Sequence, residues 1–277
     1  MRSKYYYLAG LIIRIDSAEE IRDSNMYEEF HTRACQADIT VRITFSPLPE
    51  KSVEAVPAGY AREFYRAGDE ERLYSSYYTP DGFVDYSCRI IKDDYIELFI
   101  DFDGGLWDSM VFNALNIPEL LAARGIFLCH SSYIIHRGEA VLFISDKGGG
   151  KSTQASLWQK EKNAEIINGD RSLLKFEGDR LMACGTPYCG SSKTALNRTA
   201  PVRALILLGK GSENIIERVS GIQALTGIVS QLSREHYQNL SACEFAEKIC
   251  RTAPVYSMKC LPDPSAVQAL EDVLWET

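Results

Sequence analysis

The residues best suited to chemistry lie in one glycine-rich segment of the chain. This segment, Ser145–Thr153, reads SDKGGGKST and follows the apolar run Ala140–Ile144. It matches the phosphate-loop pattern G-x-x-x-x-G-K-[ST], except that Ser145 replaces the first glycine. Backbone N–H groups of such a loop, together with the N-terminus of the helix that follows, form a nest for anions. The segment therefore predicts a binding site for the phosphates of ATP.

Individual residues of this loop have distinct predicted roles. Lys151 can reach the β- and γ-phosphates, and the Ser152 hydroxyl can bind Mg²⁺. The other residues predicted to contact the nucleotide are Asp146, Lys147, Gly148, Gly149, Gly150 and Thr153. The alternative is a glycine-rich turn with an exposed lysine. It fits less well, because an apolar strand precedes the glycines and an amphipathic helix follows them.

A phosphate site of this kind needs an acidic residue at the end of a neighbouring strand to hold Mg²⁺. The sequence Ile166-Ile167-Asn168-Gly169-Asp170 supplies one directly after a short apolar run. Asp170 is therefore predicted to be the second Mg²⁺ ligand and a catalytic residue. The alternative is that Asp170 only caps a turn, a common role for aspartate.

Short apolar strands, glycine turns and helices alternate after residue 126. The spacing predicts, in chain order, strands at Ser131–Ile135 and Ala140–Ile144, a helix at Lys151–Lys160, a strand at Glu165–Ile167, a hairpin of Ser172–Phe176 and Arg180–Ala183, a strand at Ala204–Leu208, helices at Ile222–Leu232 and Ser241–Thr252, a strand at Val255–Met258 and a helix from Pro264. This alternation is typical of an α/β domain with a mixed sheet.

The first hundred residues read as β-rich instead. Strands are predicted at Leu8–Ile15, Ile39–Phe45, Tyr86–Ile91 and Tyr95–Asp101, whereas the proline-containing stretch Ser46–Gly82 is predicted to be mostly irregular. The glycines after Asp103 mark a break. The chain is therefore predicted to be an α/β protein with a β-rich N-terminal domain, 1–105, which is a candidate for substrate recognition. A phosphate-loop domain, 106–277, follows it.

Composition and charge exclude several classes of protein. The 277 residues carry a formal net charge of −8, which argues against a nucleic-acid partner because phosphate backbones attract basic surfaces. No apolar run approaches the length of a membrane span, so no membrane association is predicted. None of the eight cysteines forms a C-x-x-C pair. Together these features predict a cytoplasmic protein with free thiols.

The segment from His130 to Thr153 resembles the core of HPr kinase/phosphorylase, whose phosphate-loop fold is shared with PEP carboxykinase. In that family a histidine precedes two strands that lead into the loop, and an ungapped count back from Lys151 matches it to His130. The chain resembles still more closely the HPr-kinase-like proteins of peptide-modification clusters, such as lasso-peptide kinases, through the segments Ile167–Ser172 and Gly185–Ser192.

The resemblance implies a catalytic role for His130 beside Asp170, and it allows a homo-oligomer by analogy. HPr kinases carry two adjacent aspartates where this chain has Gly169-Asp170 or Asp170-Arg171. The sequence therefore leaves open whether His130 or Asp170 is the general base. The alternative for His130 is a half-buried histidine at a strand end. The family's C-terminal phosphorylase signature is not recognisable here, so kinase activity alone is predicted.

The loop that follows Gly185 is a candidate for binding the substrate or the transferred phosphate. Its small polar residues stand beside two cations, and the predicted contacts are Cys189, Gly190, Ser191, Ser192, Lys193 and Arg198. Either cation could act as a clamp on the phosphate charge. The alternative is a structural turn between the hairpin and the next strand.

These residues predict a kinase that uses ATP and Mg²⁺ to phosphorylate a hydroxyl, foremost a serine of a peptide or small protein. Such a transfer depends mainly on positioning and charge neutralisation, so few side chains suffice. Three alternatives stay open at this point. They are a small-molecule kinase, a nucleotide-binding regulatory module with weak ATPase activity, and a relative that binds nucleotide without turnover.

Overall fold

The computed structural model describes residues 1–51, 54–57, 62–67, 70–232 and 239–275. These residues form two compact units, Met1–Leu120 and Leu121–Thr277. The first unit extends beyond residue 105, and the domain boundary placed there from sequence stays a prediction. Among the described residues, no helix is both long and apolar enough to cross a membrane.

The first unit is built on an eight-stranded mixed sheet. Its strands are β1 (Arg2–Leu8), β2 (Leu11–Ser17), β3 (Ile39–Phe45), β4 (Glu54–Pro57), β5 (Arg62–Ala67), β6 (Glu70–Thr79), β7 (Gly82–Ile91) and β8 (Ile96–Ile100). They lie in the order β1-β2-β3-β8-β7-β6-β5-β4, with β3 parallel to both of its neighbours. A 3₁₀ helix (Asn25–Phe30) and helix α1 (Asp108–Leu115) complete the unit, and helix α2 (Ile117–Ala122) follows.

Two sequence predictions for this unit are wrong. The single strand predicted at Leu8–Ile15 is a hairpin, because Ala9 and Gly10 adopt positive φ angles of 51° and 96° and reverse the chain. The stretch predicted to be irregular contains β4, β5 and β6. Proline did not exclude strands here. Pro80 lies in the turn between β6 and β7, where it interrupts no hydrogen-bond ladder.

The second unit confirms the predicted alternation of strands and helices. Its elements are β9 (Phe127–Cys129), β10 (Ser131–His136), β11 (Glu139–Ile144), α3 (Lys151–Lys162), β12 (Glu165–Asn168), β13 (Ser172–Glu177), β14 (Arg180–Cys184), β15 (Thr199–Lys210), β16 (Ile215–Arg218), α4 (Gly221–Val229), α5 (Asn239–Thr252), β17 (Val255–Cys260) and α6 (Pro264–Trp275). The short strands β9 and β16 were not predicted. The predicted fold class, α/β with a β-rich first part and a mixed sheet among helices, is confirmed.

Helices cover both faces of this second sheet. Alternate residues of β11 point to opposite sides: Val141 and Phe143 pack with α3 and α6, whereas Leu142 and Ile144 pack with α4 and α5. The same alternation runs through the neighbouring strands, because successive side chains of a strand face opposite ways. Burial on both faces explains why β11 reads as a continuous apolar run.

The topology gathers three segments at one edge of this sheet. Strand β10 lies between β11 and β12 and is antiparallel to both, so β11 and β12 end at the same edge where β10 begins. Ser131, the first residue of β10, pairs with Ile144, the last of β11. Three segments therefore lie side by side at this edge of the sheet: His130, the phosphate loop and the turn after Asn168.

A buried carboxylate holds α6 against the helix that follows the phosphate loop. Glu271 on α6 is 4% exposed and contacts Lys162 at the end of α3. It also accepts hydrogen bonds from His136 at 3.1 Å and Arg137 at 2.9 Å, in the β10–β11 turn. Burial alone would raise the pKa of Glu271, but the hydrogen bonds from Lys162 and His136 outweigh it and lower that pKa.

We expect Glu271→Gln to destabilise the protein by about 1–3 kcal/mol at neutral pH, because three cationic or donor groups lose their counter-charge. The folded-state pKa of Glu271 lies below its ordinary value of 4.5. Its stabilisation is therefore present above about that pH and is lost as the pH falls through the lowered pKa. Chemical denaturation of both proteins across pH 3–7 measures this difference, which should shrink in acid. The exposed Glu244 on α5 supplies the control, Glu244→Gln.

Candidate functional site

The glycine-rich loop between β11 and α3 has a backbone that only glycine accommodates easily. Gly148 and Gly150 have φ angles of 80° and 103°, in the left-handed region. Gly149 is constrained differently, because a Cβ atom there would lie 2.5 Å from Ser145 Oγ. The three glycines thus permit a tight loop that ends at the N-terminus of α3, where helical N–H groups are free to bind anions.

Lys151 begins α3 and turns its ammonium group back into the loop. Its Nζ donates to the carbonyl oxygen of Ser145 at 2.6 Å and to that of Asp146 at 3.4 Å, and the residue is only 7% exposed. Burial lowers the pKa of Lys151, and the carboxylates of Asp170 and Asp146 partly oppose this shift. A phosphate group at the loop would supply the counter-charge that the buried ammonium group lacks.

A cleft of about 390 Å³, the phosphate cleft, brings most of the predicted site together. Its walls are His130, Lys147, Gly148, Gly149, Gly150, Lys151, Ser152, Thr153, Gly169 and Asp170. Ser152 and Thr153 are exposed on the first turn of α3, so their hydroxyls can reach a ligand. The remaining loop residue, Asp146, is not among these walls.

Asp170 lies between two cationic or titratable groups at the edge of the sheet. Its Oδ1 is 3.1 Å from His130 Nε2, and its Oδ2 accepts a hydrogen bond from Arg171 Nε at 3.1 Å. The carboxylate is 30% exposed, so it remains open to the cleft. Oxygen ligands of this kind suit Mg²⁺, but the metal would share them with His130 and Arg171.

A chain of polar contacts connects His130 back to the phosphate loop. Gln231, in the turn after α4, donates from Nε2 to Asp146 Oδ1 at 3.2 Å. Its amide oxygen therefore faces His130 Nδ1, at 3.1 Å, and this assigns a proton to Nδ1. His130 Nε2 is left facing Asp170 Oδ1, and a proton between these two atoms satisfies both.

Asn168 fixes the turn that carries Asp170. The residue is fully buried, and its side-chain oxygen accepts the backbone N–H groups of Asp170 and Arg171, each at 2.9 Å. Its amide group donates to the carbonyls of Thr186 and Tyr188, at 2.9 and 3.0 Å. One side chain thus holds the Asp170 turn and anchors the loop predicted to bind substrate.

That loop packs directly on the Asp170 turn. A Cβ atom on Gly190 would lie 2.8 Å from Asp170 Cγ, and one on Gly169 would lie 2.6 Å from Ser192 Cβ. Ser192 and Lys193 are exposed beside this contact, whereas the Ser191 side chain lies outside the described atoms. Cys189 is buried, and burial raises the pKa of its thiol, which disfavours the thiolate needed for a nucleophile.

Asp146 and the six predicted substrate contacts are not among the walls of the phosphate cleft, and two of these residues have other contacts. The guanidinium group of Arg198 is 3.9 Å from Glu165, at the start of β12, whereas Asp170 follows the end of that strand. Asp146 directs its carboxylate to Gln231, and its carbonyl accepts the N–H of Gly149 at 3.0 Å. The roles predicted for Arg198 in binding the transferred phosphate and for Asp146 in contacting the nucleotide stay predictions.

A second opening, the side cleft, lies along the same loop. It has a volume of about 400 Å³, and its walls are Gly148, Gly149, Gly150, Thr153, Gln154, Gly209, Lys210, Gly211, Cys260, Leu261 and Pro262. The three glycines and Thr153 line both clefts. A ligand held by the loop could therefore extend into each of them.

Sequence reasoning assigned no role to three residues that the structure brings into the site. Asn168 carried a usable signal, since asparagine side chains often bond the backbone two residues ahead. Arg171 was visible only as a neighbour of Asp170. Gln231 gave no local signal, because its contact with His130 joins residues 101 positions apart.

Replacing Asn168 should destabilise the turn in a way that depends on the new side chain. Asn168→Asp exchanges the two amide N–H donors for an oxygen that faces the carbonyls of Thr186 and Tyr188. We expect it to cost about 2–4 kcal/mol, more than Asn168→Ala, because it adds repulsion to the lost hydrogen bonds. Urea denaturation monitored by tryptophan fluorescence compares the two variants with the unchanged chain. Equal stability of all three would show that these bonds do not hold the turn.

Comparisons with known proteins give limited help. No protein-family model matches the sequence, and no curated protein does so either. Among solved structures, the chain is similar to the HPr(Ser) kinase/phosphatase from Coxiella burnetii, with 14% sequence identity and a TM-score of 0.32. The match covers 52% of this chain and 92% of that chain. At this level the likeness assigns no activity, which has to be argued from the site itself.

Proposed function

We propose that this protein is a kinase that binds ATP and Mg²⁺ at the phosphate loop and transfers the γ-phosphate to a hydroxyl group. One observation carries the proposal: Lys151, Ser152, His130 and Asp170 line the same cleft beside a glycine loop at a helix N-terminus. A phosphate-binding nest and a candidate proton acceptor thus share one opening, as phosphoryl transfer requires.

The shape of the loop supports binding of a nucleoside triphosphate. The phosphates would lie against the N–H groups of Gly148–Gly150 and the first turn of α3. Lys151 would exchange its contact with the Ser145 carbonyl for the β- and γ-phosphate oxygens, which are stronger acceptors. The nucleoside would extend into the side cleft, since the same glycines line both openings.

The residues at the phosphate cleft also fit Mg²⁺. The Ser152 hydroxyl and the Asp170 carboxylate are oxygen ligands, which a hard cation prefers. When bound, Mg²⁺ supplies positive charge that neutralises the phosphate oxygens. Arg171 would have to release Asp170 Oδ2, or share it, for the carboxylate to bind the metal.

We assign the general base to Asp170 and a positioning role to His130. The hydrogen-bond chain from Asp146 through Gln231 orients the His130 ring, and Nε2 then faces Asp170 Oδ1. The Asp170 carboxylate is 30% exposed and lies at the phosphate cleft, where it can accept the proton of an attacking hydroxyl. The hydroxyl oxygen bonds to the γ-phosphorus, the bond to the β-phosphate oxygen breaks, and ADP leaves.

The acceptor is proposed to be a serine hydroxyl of a peptide or small protein. The exposed Ser192 and Lys193 lie on the loop that packs against Asp170, at the rim where an acceptor would approach. The peptide class itself rests on the sequence resemblance to kinases of peptide-modification clusters. A homo-oligomer remains a proposal on the same ground.

Lys151→Ala should lower phosphoryl transfer at least about 100-fold, because the phosphates lose a buried cation. ATP affinity should fall less, since the backbone nest remains. Incubation with ATP labelled at the γ-phosphate, with serine-containing peptides as acceptors, measures transfer and phosphate release separately. The control is Lys160→Ala, which removes an exposed lysine from the same helix.

Unchanged transfer in a folded Lys151→Ala protein would contradict the phosphate-loop assignment. Release of phosphate by the unchanged chain, without transfer to any acceptor, would favour the regulatory module with weak ATPase activity. Transfer to a small alcohol but to no peptide would favour the small-molecule kinase.

His130→Ala should lower the transfer rate by about 10²–10⁴-fold while ATP affinity changes little. His130→Gln should recover part of that loss, because glutamine can hydrogen-bond to Asp170 but cannot carry a proton. The pH dependence of the transfer rate, measured for both variants, separates positioning from proton transfer. Full activity per folded molecule in both variants would make His130 a packing residue.

A further inference from the structure

A second group of metal-ligating side chains lies in the first unit, outside the site described above. Asp23, His31 and Asp108, here called the acid–histidine cluster, each direct one ligand atom to a common point, and these atoms lie within 4.8 Å of one another. His31 Nε2 is 3.4 Å from Asp23 Oδ1 and 3.7 Å from Asp108 Oδ2.

These distances are within the range of an ion pair but longer than a direct hydrogen bond. A charge-assisted hydrogen bond from an imidazolium would be about 2.7–2.9 Å long. Two ligands bound at about 2.1 Å to a tetrahedral Zn²⁺ stand about 3.4 Å apart. The observed separations therefore leave room for a cation between the three side chains.

The carboxylate of Asp108 is held so that one oxygen points into the cluster. The side chain is fully buried, and its Oδ1 accepts the N–H groups of Ser24 at 3.0 Å and Ser109 at 2.7 Å. Its Oδ2 is buried and accepts no hydrogen bond from any described residue. A buried carboxylate oxygen without such a partner is costly, and a bound cation would remove that cost.

A second buried polar atom lies beside the cluster, on Tyr6. Its ring is fully buried with its edge toward His31, at a centroid distance of 4.8 Å, and its hydroxyl has no hydrogen-bond partner among the described residues. Lys4 Nζ contacts Asp23 Oδ1, the same oxygen that faces His31, so a metal ion would compete with Lys4 for this ligand.

We propose that Asp23, His31 and Asp108 bind a divalent transition-metal ion of the Zn²⁺ type. One imidazole nitrogen with two carboxylate oxygens suits such an ion better than Mg²⁺ or Ca²⁺, which prefer oxygen ligands alone. The ion would connect two parts of the chain that are far apart in sequence. One is the segment that carries Asp23 and His31, and the other is the first turn of α1, which carries Asp108. A cavity of about 530 Å³, lined in part by Lys4 and Asp23, provides access.

The test uses the full chain, stripped of metal by chelation and titrated with Zn²⁺, and then with Co²⁺ as a spectroscopic probe. One equivalent should bind and raise the thermal midpoint of the protein. Asp108→Asn should weaken Zn²⁺ binding at least about 100-fold, because it removes a ligand charge while leaving Oδ1 to accept from Ser24. Asp23→Asn should have the same effect. Because Asp23 is half-exposed, this variant should fold even if the buried Asp108→Asn variant does not.

Two control variants separate this site from the phosphate cleft and from a simple ion network. Asp170→Asn should leave this equivalent of metal in place, so failure of the kinase proposal would not affect the result. Lys4→Gln should retain or strengthen binding, because it removes a competing cation. The proposal is overturned if the unchanged chain binds no Zn²⁺, or if Asp108→Asn and Asp23→Asn bind it as tightly as the unchanged chain.

Discussion

The candidate site depends on the antiparallel pairing of β10 with both β11 and β12. This pairing makes β11 and β12 parallel in direction, so the glycine loop and the Asp170 turn leave the sheet at one edge. His130 enters at the same edge, one residue before β10 begins. A register shift of one residue would move every side chain of β10 to the opposite face of the sheet, where different helices pack, so the packing on both faces favours the observed register. The packing of the core therefore determines the geometry of the site.

Charge balance distinguishes the phosphate cleft from the ion network around Glu271, at the other end of β10 and β11. Glu271 is buried and surrounded by three cationic or titratable groups, so its charge is matched within the fold. Lys151 is also buried, but it faces backbone carbonyls of its own loop. Those carbonyls carry no formal charge, and the carboxylates of Asp170 and Asp146 only partly offset the effect of burial on Lys151, so an anionic ligand could pair with its ammonium group. A similar contrast holds between two buried carboxylates. Glu271 in the second unit has cationic partners, whereas Asp108 Oδ2 in the first unit accepts no hydrogen bond from any described residue.

Features that depend on a few adjacent residues could be predicted from the sequence. The glycine-rich loop between a strand and a helix was predictable because a run of glycines follows an apolar strand, and its binding of phosphate stays a proposal. The strands and helices of the second unit followed from local periodicity, and the turn at Asp170 from its Asn-Gly-Asp composition. The same reasoning failed at Ser46–Gly82, where proline suggested irregular structure although β4, β5 and β6 pair as consecutive antiparallel strands.

The tertiary structure alone decided which partners meet across the chain. His130 contacts Gln231 and Asp170, which lie 101 and 40 residues away in sequence, and no local pattern specifies either contact. Arg198 is near the site in sequence but lies beside Glu165, at the start of β12 rather than its end. Side chains meet according to how sheets and helices pack, and that packing depends on the whole core. The sequence by itself thus determined which residues can do chemistry, and the fold decided which of them can do it together.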